Sequence, residues 1–264
     1  MPKHSAQSLR QLKQQGEKFS CVTAYDASFA AAISRAGIET ILVGDSLGMV
    51  LQGHSDTLPV TMQDMIYHIE AVSRGNTHAM VIGDMPFMSY ATTGQTLDNA
   101  ARLMRAGAQM VKLEGGTWLS ESIHQLTVRG IPVCAHLGLT PQSVNTLGGF
   151  KVQGRSEAAA SRILADAQEV ESAGASLLVL ECIPRSLAAT ISRQLSIPVI
   201  GIGAGPDTDA QVLVLHDLLG VTPRPPRFVK NFMEGENSIE GALRAFSAAV
   251  KSGEFPTEVH SFKD

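Results

Sequence analysis

Three times the chain repeats one pattern: Ala-Gly, a short polar stretch, a run of aliphatic residues, then a carboxylate. The copies are Ala36-Gly37 leading through Thr40-Ile41-Leu42-Val43 to Asp45, Ala106-Gly107 through Met110-Val111 to Glu114, and Ala173-Gly174 through Leu177-Leu178-Val179 to Glu181. Glycine suits the left-handed position that ends a helix, so each copy reads as helix stop, tight corner, buried strand and an acid at the strand's C-terminal tip. Acids at the same end of several parallel strands converge. In α/β barrels and doubly wound sheets that end is where chemistry is built.

Eight strand-like runs follow one another: Phe19–Tyr25, Thr40–Asp45, Met80–Asp84, Met110–Glu114, Val133–Leu137, Leu177–Glu181, Val199–Gly203 and Phe228–Phe232. They alternate with eight helical patterns, the seventh at Asp209–Leu218 and the last at Ile239–Lys251. Eight of each is the count of a (β/α)₈ barrel, a fold that uses ~250 residues. The 264 residues, 44% hydrophobic and 17% charged, suffice for one such core, expected to span 1–264 as a single domain. Periodicity alone also admits a doubly wound open sheet.

The net charge of −4 comes with no basic stripe, which argues against a nucleic-acid footprint. No apolar run is long enough for a membrane span, and the polar His4–Lys18 segment lacks the apolar core of a signal peptide, so a cytoplasmic location is expected. Cys21, Cys134 and Cys182 lie in or beside apolar runs and read as reduced structural thiols. Gly201-Ile202-Gly203-Ala204-Gly205 lacks the third spaced glycine of a dinucleotide loop; close backbone packing or substrate approach fits it better.

The strand tips carry the candidate chemistry. Asp45 and Asp84 end neighbouring strands, where two hard oxygen ligands can share one Mg²⁺; each can also be a helix cap or a solvated loop acid. Lys112 and Glu114, two apart, face the same way, and a lysine pointing into a barrel needs an ion pair or a bound anion. His136 reads either as a core histidine or as a donor to a bound oxygen. Glu181, between Leu180 and Cys182, suits a proton-transferring acid or a buried partner of Lys112 or Arg185. Two long connections, 46–59 and 137–154, are expected to cover these tips as ordered loops.

Several strings together carry a family resemblance: Val43-Gly44-Asp45-Ser46-Leu47-Gly48-Met49, Gln52-Gly53-His54, Asp84-Met85-Pro86-Phe87-Met88, Val111-Lys112-Leu113-Glu114-Gly115-Gly116 and His136-Leu137-Gly138-Leu139-Thr140-Pro141-Gln142. They resemble those of the ketopantoate hydroxymethyltransferases, over nearly the whole chain. The resemblance implies a (β/α)₈ TIM barrel of the phosphoenolpyruvate/pyruvate-binding type, assembled as a homodecamer of two stacked five-membered rings. It implies transfer of a one-carbon unit from 5,10-methylenetetrahydrofolate to 3-methyl-2-oxobutanoate, giving 2-dehydropantoate on the route to pantothenate. Asp45 and Asp84 would then be Mg²⁺ ligands, with Glu114 at the metal directly or through water. The oxo acid would be held by Asp45, Ser46, Asp84, Lys112 and His136, and Glu181 would accept its proton. The segment Val221–Arg227 is richer in proline than expected before an eighth strand.

Two rival readings separate on simple features. A lyase or P–C bond enzyme of the same barrel type is expected to carry a motif such as Lys-Lys-Cys-Gly-His, and none occurs. A catalytically silent binding barrel is disfavoured by the intact set Asp45, Asp84, Lys112, His136 and Glu181.

Overall fold

In the computed structural model, which describes residues 3–263, eight parallel strands close into a barrel in chain order. They are β1 Phe19–Thr23, β2 Thr40–Val43, β3 Met80–Asp84, β4 Met110–Glu114, β5 Val133–Gly138, β6 Leu177–Glu181, β7 Val199–Ile202 and β8 Ala210–Leu213. Closure runs from Phe19↔Ala210 to Val22↔Leu213 between β1 and β8. Helices cover the outer face and side chains fill the inside, so the strands are buried on both faces and read as near-continuous aliphatic runs. The open-sheet alternative is thereby excluded.

The repeated Ala-Gly corners fold as expected. Gly37, Gly107 and Gly174 all have positive φ, at 79°, 117° and 108°. Gly37 and Gly107 end the helices Ala27–Ala36 and Thr93–Ala106, each donating its N–H to carbonyls of the last turn. The next strand starts three residues later in both cases.

The eighth strand is a correction. It lies at Ala210–Leu213, inside the expected helix Asp209–Leu218, and Phe228–Phe232 is not a strand. A short apolar run such as 210–215 fits either period, and its pairing with Phe19–Val22 on one side and with Ile200–Gly201 on the other decides. No helix separates β7 from β8. The connection is tight because Gly201 leaves room for Thr208, whose Oγ1 would lie 2.7 Å from a Cβ there. Gln211 is buried in β8, and its amide donates to the Gly205 carbonyl and the Thr208 hydroxyl. Phe232 is held by edge contacts with Phe246 and Phe255, while Phe228 lies against Gly203. Aromatic packing therefore anchors the segment that a ladder was expected to hold.

The helix Ala6–Gln15 closes the opposite end of the barrel. Its Lys13 ammonium donates to the Ser192 and Ile197 carbonyls and pairs with Asp209 at 2.9 Å, next to the starts of β7 and β8. No described helix is long and apolar enough to cross a membrane.

Candidate functional site

Strand register assembles the site. Parallel pairing sets Asp84 on β3 beside Lys112 on β4, and Glu114 on β4 beside His136 on β5. Lys112 and Glu114, two residues apart, point the same way into the barrel mouth. Asp45 lies two residues beyond β2, and its backbone N–H donates to Asp84 Oδ2 at 3.2 Å. The result is one contiguous chain of charge. Lys112 Nζ lies 2.7 and 2.8 Å from the two Asp84 oxygens and 3.3 Å from Glu114 Oε1. His136 Nδ1 is 3.4 Å from Glu114 Oε1, and its Nε2 is 3.3 Å from Glu181 Oε2.

Asp45, Asp84, Lys112, Glu114 and His136 are all buried, whereas the Glu181 side chain remains 15% exposed. All four tip acids line the cavity, and Glu181 is the most exposed of them. It pairs with neither Lys112 nor Arg185 among the described residues; Arg185 instead pairs with Asp207 at 3.0 Å. Ser46 is also at the mouth, its hydroxyl 2.9 Å from that of Tyr25.

Electrostatics follow from this geometry. Burial, then the charges of Asp84 and Glu114, raises the Asp45 carboxyl well above its ordinary value. Burial also raises Asp84, against the opposing pull of Lys112. For Lys112 burial works downward, but Asp84, Glu114 and Asp45 outweigh it and hold the ammonium well above its usual value. Glu114 sits at about 2: burial opposes this, and Lys112 with His136 overcomes it. Burial and Lys112 act to discharge His136, yet the flanking Glu114 and Glu181 bring it to about 9. Its ring nitrogens make no well-formed hydrogen bond, so the attraction to those acids is one of charge at 3.3–3.4 Å.

Gln142 was not foreseen from the sequence. Its side-chain N–H donates to Asp45 Oδ2 and to the Met85 carbonyl, both at 2.9 Å, while its backbone N–H donates to Glu114 Oε2 at 3.0 Å. The Tyr90 hydroxyl in turn donates to its amide oxygen at 2.5 Å. Gln142 ends the His136–Gln142 string that carries the family resemblance and lies in the long connection after His136, but neither signal gave it a partner. That connection and the one at 46–59 both line the mouth, through Leu139, Pro141 and Phe150 and through Met49, Val50 and His54.

The residues present fit a hard divalent cation. Four carboxylates (Asp45, Asp84, Glu114, Glu181) face two cationic side chains (Lys112, His136), and Asp45 Oδ1 has no hydrogen-bond donor among the described residues. No trio of His, Cys, Asp or Glu converges into a ready cage among them. Mg²⁺ commonly uses only one or two carboxylates and completes its shell with water and substrate oxygens. Glu114 has both oxygens engaged by protein donors, as Asp84 has by Lys112, which leaves Asp45 Oδ1 as the freest carboxylate oxygen of these three acids.

The three cysteines are free and buried, and burial pushes Cys21 up to about 12 and raises Cys134 and Cys182 as well. Inert structural thiols are what that implies. The Gly201–Gly205 run serves close packing: a Cβ on Gly203 would meet Phe228 at 2.9 Å, and one on Gly205 would meet Arg185 at 2.7 Å. Val221–Arg227 follows β8 rather than preceding it, and it forms part of the cavity rim.

Comparison with known proteins agrees with the fold and gives the family. Structures of phosphonopyruvate hydrolase and 2,3-dimethylmalate lyase superpose with TM-scores of 0.63 and 0.57 at 15% and 18% identity. They cover 84% and 79% of this chain and 84% and 80% of theirs. At that identity they show the barrel type alone. Two curated proteins named 3-methyl-2-oxobutanoate hydroxymethyltransferase are far nearer in sequence. The one from Marinobacter nauticus is 60% identical over 97% of both chains, and the one from Pseudomonas fluorescens is 57% identical over 99% of both. The sequence model of one family matches residues 3–258, nearly the whole barrel: the chain belongs to the ketopantoate hydroxymethyltransferase family of enzymes.

Proposed function

We propose that this chain transfers a hydroxymethyl unit from 5,10-methylenetetrahydrofolate to 3-methyl-2-oxobutanoate, giving 2-dehydropantoate for pantothenate synthesis, as a Mg²⁺-dependent cytoplasmic homodecamer. The observation that carries the reading is the buried, cation-deficient acid cluster at the strand tips, with Glu181, next to His136, as its most exposed member.

Asp45 and Asp84 would hold the Mg²⁺, with Glu114 behind it. When bound, that ion supplies Lewis acidity at the keto oxygen of the oxo acid. Lys112 and His136 keep fixed positive charge beside the region where negative charge develops, and Ser46 offers a hydroxyl at the same mouth. Glu181 takes the C3 proton of the oxo acid. His136 Nε2, 3.3 Å from its carboxylate, orients it for that transfer. The carbon so released bonds to the methylene carbon of the folate, both C–N bonds of that carbon break as water supplies the hydroxyl, and the two folate nitrogens take up one proton from C3 and one from water. Leu139, Phe150 and Met49 restrict water at the mouth until the donor is in place.

An assay of 3-methyl-2-oxobutanoate with 5,10-methylenetetrahydrofolate tests the reading. Formation of 2-dehydropantoate with Mg²⁺, lost on chelation and restored by added Mg²⁺, is expected. Binding of the oxo acid without any turnover would favour a silent barrel instead.

A further inference from the structure

Across the cavity from the acid cluster lies a second polar group that the reaction at the strand tips does not use. Asp217 follows β8 on the single helical turn Leu215–Leu218 and lines the same cavity, yet it is only 7% exposed. Its one hydrogen-bond donor among the described residues is the Thr222 hydroxyl, 2.5 Å from Oδ1. Oδ2 has none, and no ion pair among the described residues includes this carboxylate. Beside it, His216 also lines the cavity, and its Nδ1 is buried without a partner among the described residues. Buried polar atoms are rarely left unmatched, and a carboxylate turned toward a cavity lacks donors that a ligand can bring. Burial also raises the Asp217 carboxyl, the consequence of that lack.

The cavity encloses about 860 Å³, much more than a five-carbon acid fills. Much of its remaining wall is apolar, with Met49, Val214 and Val221 among the lining residues, which suits the face of a flat heterocycle. Arg224 and Arg227 stand on the rim.

We infer that Asp217 anchors the one-carbon donor by its pterin ring, the carboxylate accepting from the adjacent ring N–H and 2-amino group. The inference rests on the proposed function and assigns the donor a subsite built by β8 and the segment after it. A carboxylate matches two parallel N–H donors on one edge of a ring, and a site built around such a pair rejects an analogue that lacks one of them.

Calorimetric titration with tetrahydrofolate and with its 2-deamino analogue tests this. In the wild type, removal of the 2-amino group is expected to weaken binding at least tenfold. Asp217→Asn keeps the shape and the Thr222 contact but turns one acceptor into a donor. It is expected to weaken tetrahydrofolate at least tenfold and to respond little to removal of the 2-amino group. The same titration with 3-methyl-2-oxobutanoate and Mg²⁺ reports the acid cluster, so an equal loss there would make the effect global and overturn the inference. Equal affinity of the wild type for the two folates would overturn it without any variant. Tetrahydrofolate binding by Asp217→Asn at wild-type strength would overturn it alone, whereas a wild type that binds no tetrahydrofolate would remove the functional reading as well.

Discussion

Gln142 touches two of the tip acids at once, and that makes it a positioning residue for the proposed metal pole. Replacing it with leucine removes the donor to Asp45 Oδ2 and leaves a buried acceptor unmatched, at a cost of ~1–3 kcal/mol. The backbone N–H to Glu114 survives the change. Gln142→Leu is therefore expected to fold with a lowered melting temperature and to lose at least tenfold in Mg²⁺-dependent affinity for the oxo acid. Calorimetry returning the wild-type affinity would contradict the role. His136 supplies a second test, in metal-free protein. Its folded value of about 9 lies above the ordinary 6.5, so its stabilising contribution is complete below pH 6.5 and is lost as pH rises through 9. A shift of this size corresponds to about 3 kcal/mol. The melting temperature should fall across that window in wild type, and the fall should be absent in His136→Gln.

The Ala-Gly corners differ in what a side chain would cost. A Cβ on Gly37 meets nothing within 4 Å, so Gly37→Ala carries only the cost of a left-handed alanine, about 1 kcal/mol. On Gly107 a Cβ would fall 2.2 Å from Ser73 Oγ, so the helix containing Ser73 must also move. Urea unfolding should rank Gly107→Ala clearly below Gly37→Ala; equal stabilities would contradict the packing described. These corners show why so much was legible. A positive-φ glycine, an aliphatic run and a tip acid are all local, and once neighbouring strands are parallel, register brings Asp84 to Lys112 and Glu114 to His136. β8 was not legible, because the run from Ala210 to Leu215 suits two periods, no helix separates it from its neighbour β7, and its other partner, β1, lies almost two hundred residues away in sequence. Gln142 was hidden for a related reason: its reach to Asp45 depends on how a long loop folds back.

At the scale of the molecule, the barrel concentrates buried charge at one end, while Lys13 and the first helix seal the other. A mouth proposed to admit a folate fits an assembly that leaves every barrel's C-terminal end open, as closed rings do. Light scattering is expected to give a particle larger than a tetramer; a monomer across a micromolar dilution series would contradict the proposed decamer. The central claim is that Glu181 moves the C3 proton while the neighbouring cluster holds ion and oxo acid. Glu181→Gln keeps size and most hydrogen bonding but cannot accept a proton. The most direct measurement is exchange of the C3 proton of 3-methyl-2-oxobutanoate with deuterated water, followed by NMR with Mg²⁺ present. The account predicts that the variant still binds the oxo acid while exchange falls by about 10²-fold or more; exchange at the wild-type rate would contradict it.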